Sequence, residues 1–304
     1  MKVVACILWL STLISCSTTE QDNRQLDAFL EIDFEAIKND DFREVTEIPY
    51  KSYQDAYPQE FSPKDVLAKE SLARLAEPKL EEADSSLEPL TKGMSLCYQK
   101  KIKEAFDFFD KIYFKYRGHP SYWNQIATCY LLDGNERKAY LYYNKAMDID
   151  TKYVPAINNI GVLRLREGQV SKALLAFNDA VKVNSFALTP IFNLAQVYLQ
   201  YGMTENARKN YYVLFKKNNM DVDVLSGIAN SYLLEEEYSK AIQYFEMIDR
   251  KSPKYENVAI NYAVALHFAN NNKRAKEIFD LVEKDNLKYS KNYYNKVERL
   301  LGGK

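Results

Sequence analysis

Residues 120–153, PSYWNQIATCYLLDGNERKAYLYYNKAMDIDTKY, contain a pattern that the chain repeats every 34 residues. One column of this pattern is a run of six alanines: Ala105, Ala139, Ala173, Ala207, Ala241 and Ala275. An aromatic residue stands four positions after each alanine: Phe109, Tyr143, Phe177, Tyr211, Phe245 and Phe279. A small residue stands twelve positions before each one: Gly93, Ala127, Gly161, Ala195, Ala229 and Ala263. Three columns that agree in every copy indicate an array of similar structural units.

The copy at residues 120–153 resembles the tetratricopeptide repeat, whose signature is W-x2-L-G-x2-Y, then A-x3-F. The matching residues are Trp123, Ile126, Ala127, Tyr130, Gly134, Ala139 and Tyr143. This resemblance implies that each unit is a hairpin of two helices and that the chain forms an all-α, right-handed solenoid. Small residues at the helix contact let the two backbones approach closely, and the aromatic fills the space beside them.

We expect six such units over residues 86–289, with starts at Ser86, Pro120, Val154, Leu188, Val222 and Glu256. Residues 290–304 predict a capping helix, in which Tyr293, Val297 and Leu300 face the last hairpin and charged residues face water. Three copies lack the glycine of the hairpin turn and have other residues there: Lys100, Glu236 and Asn270.

The N-terminus, MKVVACILWLSTLISCSTTEQ, has the form of a secretory signal, in which Lys2 precedes an apolar stretch. This stretch is shorter than the roughly 20 apolar residues of a membrane-spanning helix. LISC, at residues 13–16, resembles the lipobox of bacterial lipoproteins. The resemblance implies that residues 1–15 are a lipoprotein signal peptide, that Cys16 is lipidated, and that the protein is anchored to the outer membrane and faces the periplasm. The alternative is an ordinary signal peptide with a chance cysteine.

Residues 16–85 differ from the repeats in their charge. Between Glu20 and Glu60 there are twelve acidic residues and four basic ones. Helical spacing of apolar residues from Leu26 to Ile37, and a helix start at Pro63, predict an acidic tether with one or two short helices. The alternative is a fully disordered spacer, which would also separate the solenoid from the membrane.

The composition argues against several classes of function. The 304 residues carry 41 Lys and Arg against 42 Asp and Glu, so there is no basic field for nucleic acid. The two histidines, His119 and His267, have no Cys or carboxylate partner at a metal-ligand spacing. No Gly-rich phosphate loop and no nucleophile with a base stands out. We therefore expect no catalytic residue, no metal and no cofactor.

Cys97 and Cys129 fall on neighbouring first helices of the predicted units. Helices packed roughly 8–10 Å apart bring two Cα atoms within the disulfide limit of about 7 Å only in favourable orientations. A free cysteine usually behaves as a small buried apolar residue. We therefore expect two unpaired thiols here.

The concave groove of the solenoid is the expected partner-binding surface, lined by fixed positions of each first helix. The residues assigned to it are Asn124, Thr128, Asn158, Asn159, Phe192, Asn193, Gln196, Ser226, Asn230, Asn261, Val264 and His267. Asparagine offers both a donor and an acceptor, so a row of asparagines can bind the amides of an extended peptide whatever its sequence. The alternative is that these asparagines serve only the repeats themselves.

These observations lead us to expect a non-enzymatic, lipid-anchored scaffold or adaptor that binds other envelope proteins. Its partners are left open by the sequence, and nucleic acid is not among them. Two narrower alternatives are a pilotin-like assembly lipoprotein for a type IV pilus secretin and a peptidoglycan-associated structural lipoprotein. The second needs aromatic platforms in the groove, for which Phe192 and Phe268 are the candidates.

Overall fold

The computed structural model describes residues 88–251, 255–284 and 291–302. The predicted signal peptide, Cys16 and the acidic tether lie outside these residues. The described part contains thirteen helices and no strand. They are α1 (Glu88–Tyr98), α2 (Ile102–Tyr116), α3 (Pro120–Leu132), α4 (Glu136–Ile149), α5 (Val154–Arg166), α6 (Val170–Val183), α7 (Leu188–Gln200), α8 (Thr204–Phe215), α9 (Val222–Leu233), α10 (Tyr238–Glu246), α11 (Tyr255–Phe268), α12 (Asn272–Phe279) and α13 (Lys291–Gly302).

The helices pack as six successive hairpins, numbered one to six from α1–α2 to α11–α12, followed by α13. Each hairpin also packs against the next, and α13 packs on α11 and α12. In this last contact the ring of Tyr294 lies 4.5 Å from that of Phe279, and Val297 is fully buried. The predicted all-α solenoid with a terminal helix is therefore confirmed. None of these thirteen helices combines the length and apolar composition needed to cross a membrane.

The repeat columns form the contact between the two helices of each hairpin. All six column alanines and all six column aromatics are buried. At Gly161 a Cβ atom would lie 2.6 Å from the ring of Phe177, so no larger residue fits without a shift of the ring. The small-residue column is therefore explained by this close approach of the two helices.

The turn inside each hairpin has one residue in the left-handed backbone region. In three hairpins this residue is glycine: Gly134, Gly168 and Gly202. In the other three the same conformation is held by Lys100, Glu236 and Asn270, with φ between 61° and 62°. Two backbone hydrogen bonds close each turn, as from Asn135 N to Tyr130 O and from Gly134 N to Leu131 O. The turn therefore keeps the same conformation in the three hairpins that lack glycine at this position.

A disulfide joins Cys97 of α1 to Cys129 of α3, which corrects the expectation of two unpaired thiols. The Cα atoms of the two cysteines are 5.4 Å apart. This is well inside the range for a disulfide and closer than an average helix separation allows. The close approach of α1 and α3 at this point depends on how the first two hairpins pack, which the periodicity of a single helix does not reveal.

Candidate functional site

The predicted groove residues lie on α3, α5, α7, α9 and α11, the first helices of hairpins two to six. Ten of the twelve are buried, and Ser226 and His267 are partly exposed. The exposed face that the sequence analysis predicted is therefore mostly enclosed. Phe192 is fully buried, with its ring 6.3 Å from that of Tyr211, so it belongs to the core.

Four asparagines form a continuous row of hydrogen bonds across three hairpins, which we name the asparagine ladder (Asn193, Asn158, Asn159 and Asn124). Asn193 Nδ2 donates to Asn158 Oδ1 at 2.9 Å. Asn158 Nδ2 donates to Asn159 Oδ1 at 3.0 Å. Asn159 Nδ2 donates to Asn124 Oδ1 at 3.1 Å. Each asparagine therefore joins its own helix to a neighbour, which favours the alternative in which these residues serve the repeats. A role in binding a peptide stays a prediction.

A second, shorter row joins the fifth and sixth hairpins. Asn261 Nδ2 donates to Asn230 Oδ1 at 3.1 Å, and Asn230 Nδ2 donates to Ser226 Oγ at 3.4 Å. The bond between Asn261 and Asn230 is of the same kind as those of the asparagine ladder.

Polar atoms beside the asparagine ladder complete the first-helix face. Thr128 Oγ1 donates to the backbone oxygen of Asn124 at 2.9 Å and lies 2.9 Å from the hydroxyl of Tyr143. Asn124 Nδ2 and Gln196 Oε1 are buried and have no hydrogen-bond partner in the described part of the chain. These two atoms, one donor and one acceptor, are not used by the repeats themselves.

The last first helix ends in a small aromatic group. The ring of His267 lies 5.4 Å from that of Phe268, edge to face. The ring of Phe268 is stacked on that of Tyr238 at 5.3 Å. His267 is therefore placed by aromatic packing. In the described residues no group of three or more His, Cys, Asp or Glu side chains is placed to hold a metal ion.

A cavity lies between the third and fourth hairpins, beside their turns. Its volume is about 580 Å³, and its lining includes Gln169, Leu174, Tyr198 and Tyr201. Gln169 Oε1 is buried and has no hydrogen-bond partner within the described ranges. Sequence reasoning missed this cavity because it lies between two hairpins, whereas the repeat columns describe the contact inside one hairpin.

Between the fourth and fifth hairpins, the repeat positions equivalent to those that line this cavity form contacts with each other. The Arg208 guanidinium lies 4.7 Å from the ring centre of Tyr232 and 2.7 Å from Glu235 Oε2. The hydroxyl of Tyr212 lies 2.8 Å from that of Tyr232 and 3.1 Å from that of Tyr244. Burial, followed by these hydrogen bonds, raises the pKa of Tyr212, so the group stays neutral. These contacts therefore join the fourth hairpin to the fifth.

Comparisons with known proteins agree with the repeat pattern. The family model for the tetratricopeptide repeat matches residues 120–153. No curated protein matches the chain in sequence.

Several solved structures share the fold. The structure of Pseudomonas aeruginosa pilF is 14% identical and matches with a TM-score of 0.61 over 71% of this chain and 97% of its own. A tetratricopeptide repeat protein from Parabacteroides merdae is 17% identical, with a TM-score of 0.51 over 73% of this chain and 88% of its own. The APC/C hetero-tetramer Cut9–Hcn1 is 15% identical, with a TM-score of 0.56 over 73% of this chain and 43% of that one. At these identities the likeness shows the fold alone. The repeat columns, the stacked hairpins and these matches show that the chain has the tetratricopeptide-repeat fold, with a repeat of that family at residues 120–153.

Proposed function

We propose that this protein is a non-enzymatic, lipid-anchored adaptor of the bacterial envelope that binds partner proteins through its solenoid. The observation that carries the adaptor role is the continuous array of six hairpins, because arrays of this repeat are scaffolds for protein–protein interaction. An array of stacked hairpins presents an extended surface on which a partner can lie along several units.

The envelope location is supported by two features that are far apart in the sequence. The first is the LISC motif that ends at Cys16. The second is the disulfide between Cys97 and Cys129. Disulfides form and persist in oxidising compartments such as the periplasm and are rare in the cytosol. The disulfide therefore supports export independently of the predicted signal peptide.

An extended peptide segment is the kind of partner that the first-helix face favours. Asn124 Nδ2 and Gln196 Oε1 are a donor and an acceptor there that the repeats leave unused. Both atoms are enclosed, so a peptide would have to displace the groups above them. A buried polar atom without a partner is costly, and a bound peptide amide would remove that cost.

The narrower alternative of a pilotin-like assembly lipoprotein rests on the number of units and the terminal helix. The pilF structure matches over 97% of its length, but 14% identity supports the shared fold and no shared role. The peptidoglycan alternative loses one of its two aromatic candidates, because Phe192 is enclosed in the core.

Two experiments test this proposal. Metabolic labelling with a palmitate analogue should label the parent protein and not the Cys16→Ala variant, and persistent label on the variant would contradict the lipid anchor. Affinity capture from detergent-solubilised envelopes should then recover defined protein partners. Recovery of peptidoglycan without protein partners would favour the structural alternative, and recovery of a secretin would favour the pilotin-like one.

A further inference from the structure

Two large apolar side chains stand at the tips of neighbouring loops in the middle of the solenoid. Phe186, between α6 and α7, is 75% exposed, and Met220, between α8 and α9, is 60% exposed. The two residues occupy the same repeat position, 34 residues apart. The loop before them, between α4 and α5, has the exposed Lys152 at this position. The three tips therefore follow one another along one edge of the solenoid.

The loops hold these side chains outward by local hydrogen bonds. Asn184 Oδ1 accepts from Phe186 N at 2.9 Å, and Asn218 Oδ1 accepts from Met220 N at 3.0 Å. Asp150 Oδ1 accepts from Lys152 N at 2.9 Å in the same way. A turn of this kind fixes the backbone without using the side chain at its tip. The exposure of Phe186 and Met220 is thus built into the loops.

Two lysines lie in the loop that carries Met220, and one of them reaches the ring of Phe186. Lys217 Nζ lies 5.9 Å from the ring centre of Phe186, so its ammonium links the two loops. Lys216 and Lys217 are exposed, and neither forms an ion pair within the described part of the chain. We name Phe186, Lys216, Lys217 and Met220 the loop-tip surface. It combines apolar side chains that project from the protein with lysines at their base.

We propose that the loop-tip surface inserts into an anionic lipid surface and orients the solenoid on the membrane; this rests on the proposed lipid anchor at Cys16. An aromatic and a methionine beside lysines suit the boundary between acyl chains and anionic headgroups. A stable protein interface needs roughly 800 Å² on each partner, and two protruding side chains offer much less area than that. A bilayer accommodates a protruding side chain without a matching pocket.

The lipid anchor and the loop-tip surface act together. A single weak insertion gives marginal membrane binding, and stable attachment takes a second signal such as a polybasic patch. An acyl anchor raises the local concentration of the solenoid at the membrane, so a modest affinity of the tips is enough to fix one orientation.

The test uses the mature chain, residues 16–304, with Cys16→Ser so that no acyl chain contributes. Because the tips alone have only a modest affinity, a large excess of phosphatidylethanolamine and phosphatidylglycerol vesicles should float a measurable fraction of the chain, and high salt should lower that fraction. Phe186→Ser with Met220→Ser should lower the vesicle affinity by about tenfold or more, because both apolar contacts are lost. The matched control is Phe114→Ser, since Phe114 is 70% exposed but lies on α2.

Equal flotation of the loop-tip variant and its parent would overturn the proposal, and so would a parent that does not float. If the parent does not float but self-associates, and the variant does not, the surface contacts a second copy and the lipid proposal is wrong. Loss of binding by the Phe114→Ser control would also overturn it. Thermal melts of all chains check that the substitutions leave the solenoid folded. Palmitate labelling at Cys16 is a separate measurement, so failure of the anchor and failure of the loop-tip surface are distinguishable.

Discussion

The interface between hairpins three and four and the interface between hairpins four and five differ beside their turns. At the third–fourth interface the contact is on the first helices, where Asn193 donates to Asn158. Beside the turns, the same interface has the cavity of about 580 Å³. At the fourth–fifth interface the ion pair of Arg208 and Glu235 lies at the equivalent repeat positions.

The two interfaces differ at equivalent repeat positions. Leu174 stands where Arg208 stands one repeat later, and Tyr201 stands where Glu235 stands. The buried apolar residues divide at the third hairpin, and one cluster spans the fourth–fifth interface without a break. One cluster extends from Leu90 to Leu163 and another from Ile191 to Val297, with a small cluster around Leu174 between them. The repeat columns thus specify each hairpin, and residues outside the columns decide how tightly successive hairpins are joined.

The interface between the first and second hairpins is joined covalently, so breaking it should destabilise the protein more than any other substitution considered for the hairpin contacts. Replacing both Cys97 and Cys129 by alanine should lower the free energy of unfolding by about 3.5 kcal/mol, because the disulfide closes a 32-residue loop in the unfolded chain. Chemical denaturation of parent and variant measures the difference. A reducing agent should destabilise the parent and leave the variant unchanged. Equal stability of the two chains would show that the first hairpin docks without the disulfide.

The fourth–fifth interface should be weakened by Arg208→Leu, which introduces at this position the residue found at the third–fourth interface. We expect a loss of about 1–2 kcal/mol, from the stacking on Tyr232 and from a partly buried ion pair. The matched control is Lys209→Leu, because the pair of Lys209 with Glu205 is exposed and contributes less than about 0.5 kcal/mol. If the two variants unfold alike, the Arg208 network does not join the hairpins.

The effect of Arg208→Leu should depend on pH. Partial burial by itself raises the pKa of Glu235, but hydrogen bonds from Arg208 and Thr204 outweigh this and hold the pKa below its usual value. A carboxyl whose pKa is lower in the folded state stabilises the fold above its unfolded pKa, and this stabilisation is lost as the pH falls through the folded value. The stability difference between parent and Arg208→Leu should therefore shrink below about pH 4. A difference that is constant from neutral to acid pH would assign the effect to packing alone.

The third–fourth interface is tested from the inner side by Asn193→Ala. Losing its bond to Asn158 should cost about 1 kcal/mol. Asn261→Ala is the matched control, because it removes the corresponding bond between the fifth and sixth hairpins. The cost of Asn193→Ala should add to that of Arg208→Leu, because Asn193 bonds to Asn158, whereas Arg208 contacts Tyr232 and Glu235. If Asn193→Ala leaves stability unchanged but weakens capture of a partner, the asparagine ladder is a binding surface.

The sequence predicted the hairpins because the contact between their two helices uses the same three repeat positions in each unit. Ala139 and Tyr143 pack as their spacing indicates, and Val297 of the terminal helix is buried as expected. It did not predict the pairing of Cys97 with Cys129 or the bond between Asn193 and Asn158. Those contacts join different hairpins, and their geometry depends on the angle and register between units, which no period within one helix contains. The enclosed Phe192 was misplaced for the same reason.

The hairpin turns also differ between the fourth and fifth hairpins, and this difference should have a small effect on stability. The third and fourth hairpins turn through Gly168 and Gly202, whereas the fifth turns through Glu236 at a φ of 62°. A side chain in this region costs roughly 1–2 kcal/mol, which is offset in part by the greater freedom of glycine in the unfolded chain. Glu236→Gly should therefore stabilise the protein by about 0.5–1 kcal/mol, measured as a higher unfolding midpoint. The control is Asn270→Gly, which should gain less because asparagine tolerates the left-handed region at Asn270 better than glutamate does at Glu236. If Glu236→Gly gains nothing, the fifth hairpin is not limited by its turn, and its stability depends on the Arg208 network at its interface with the fourth.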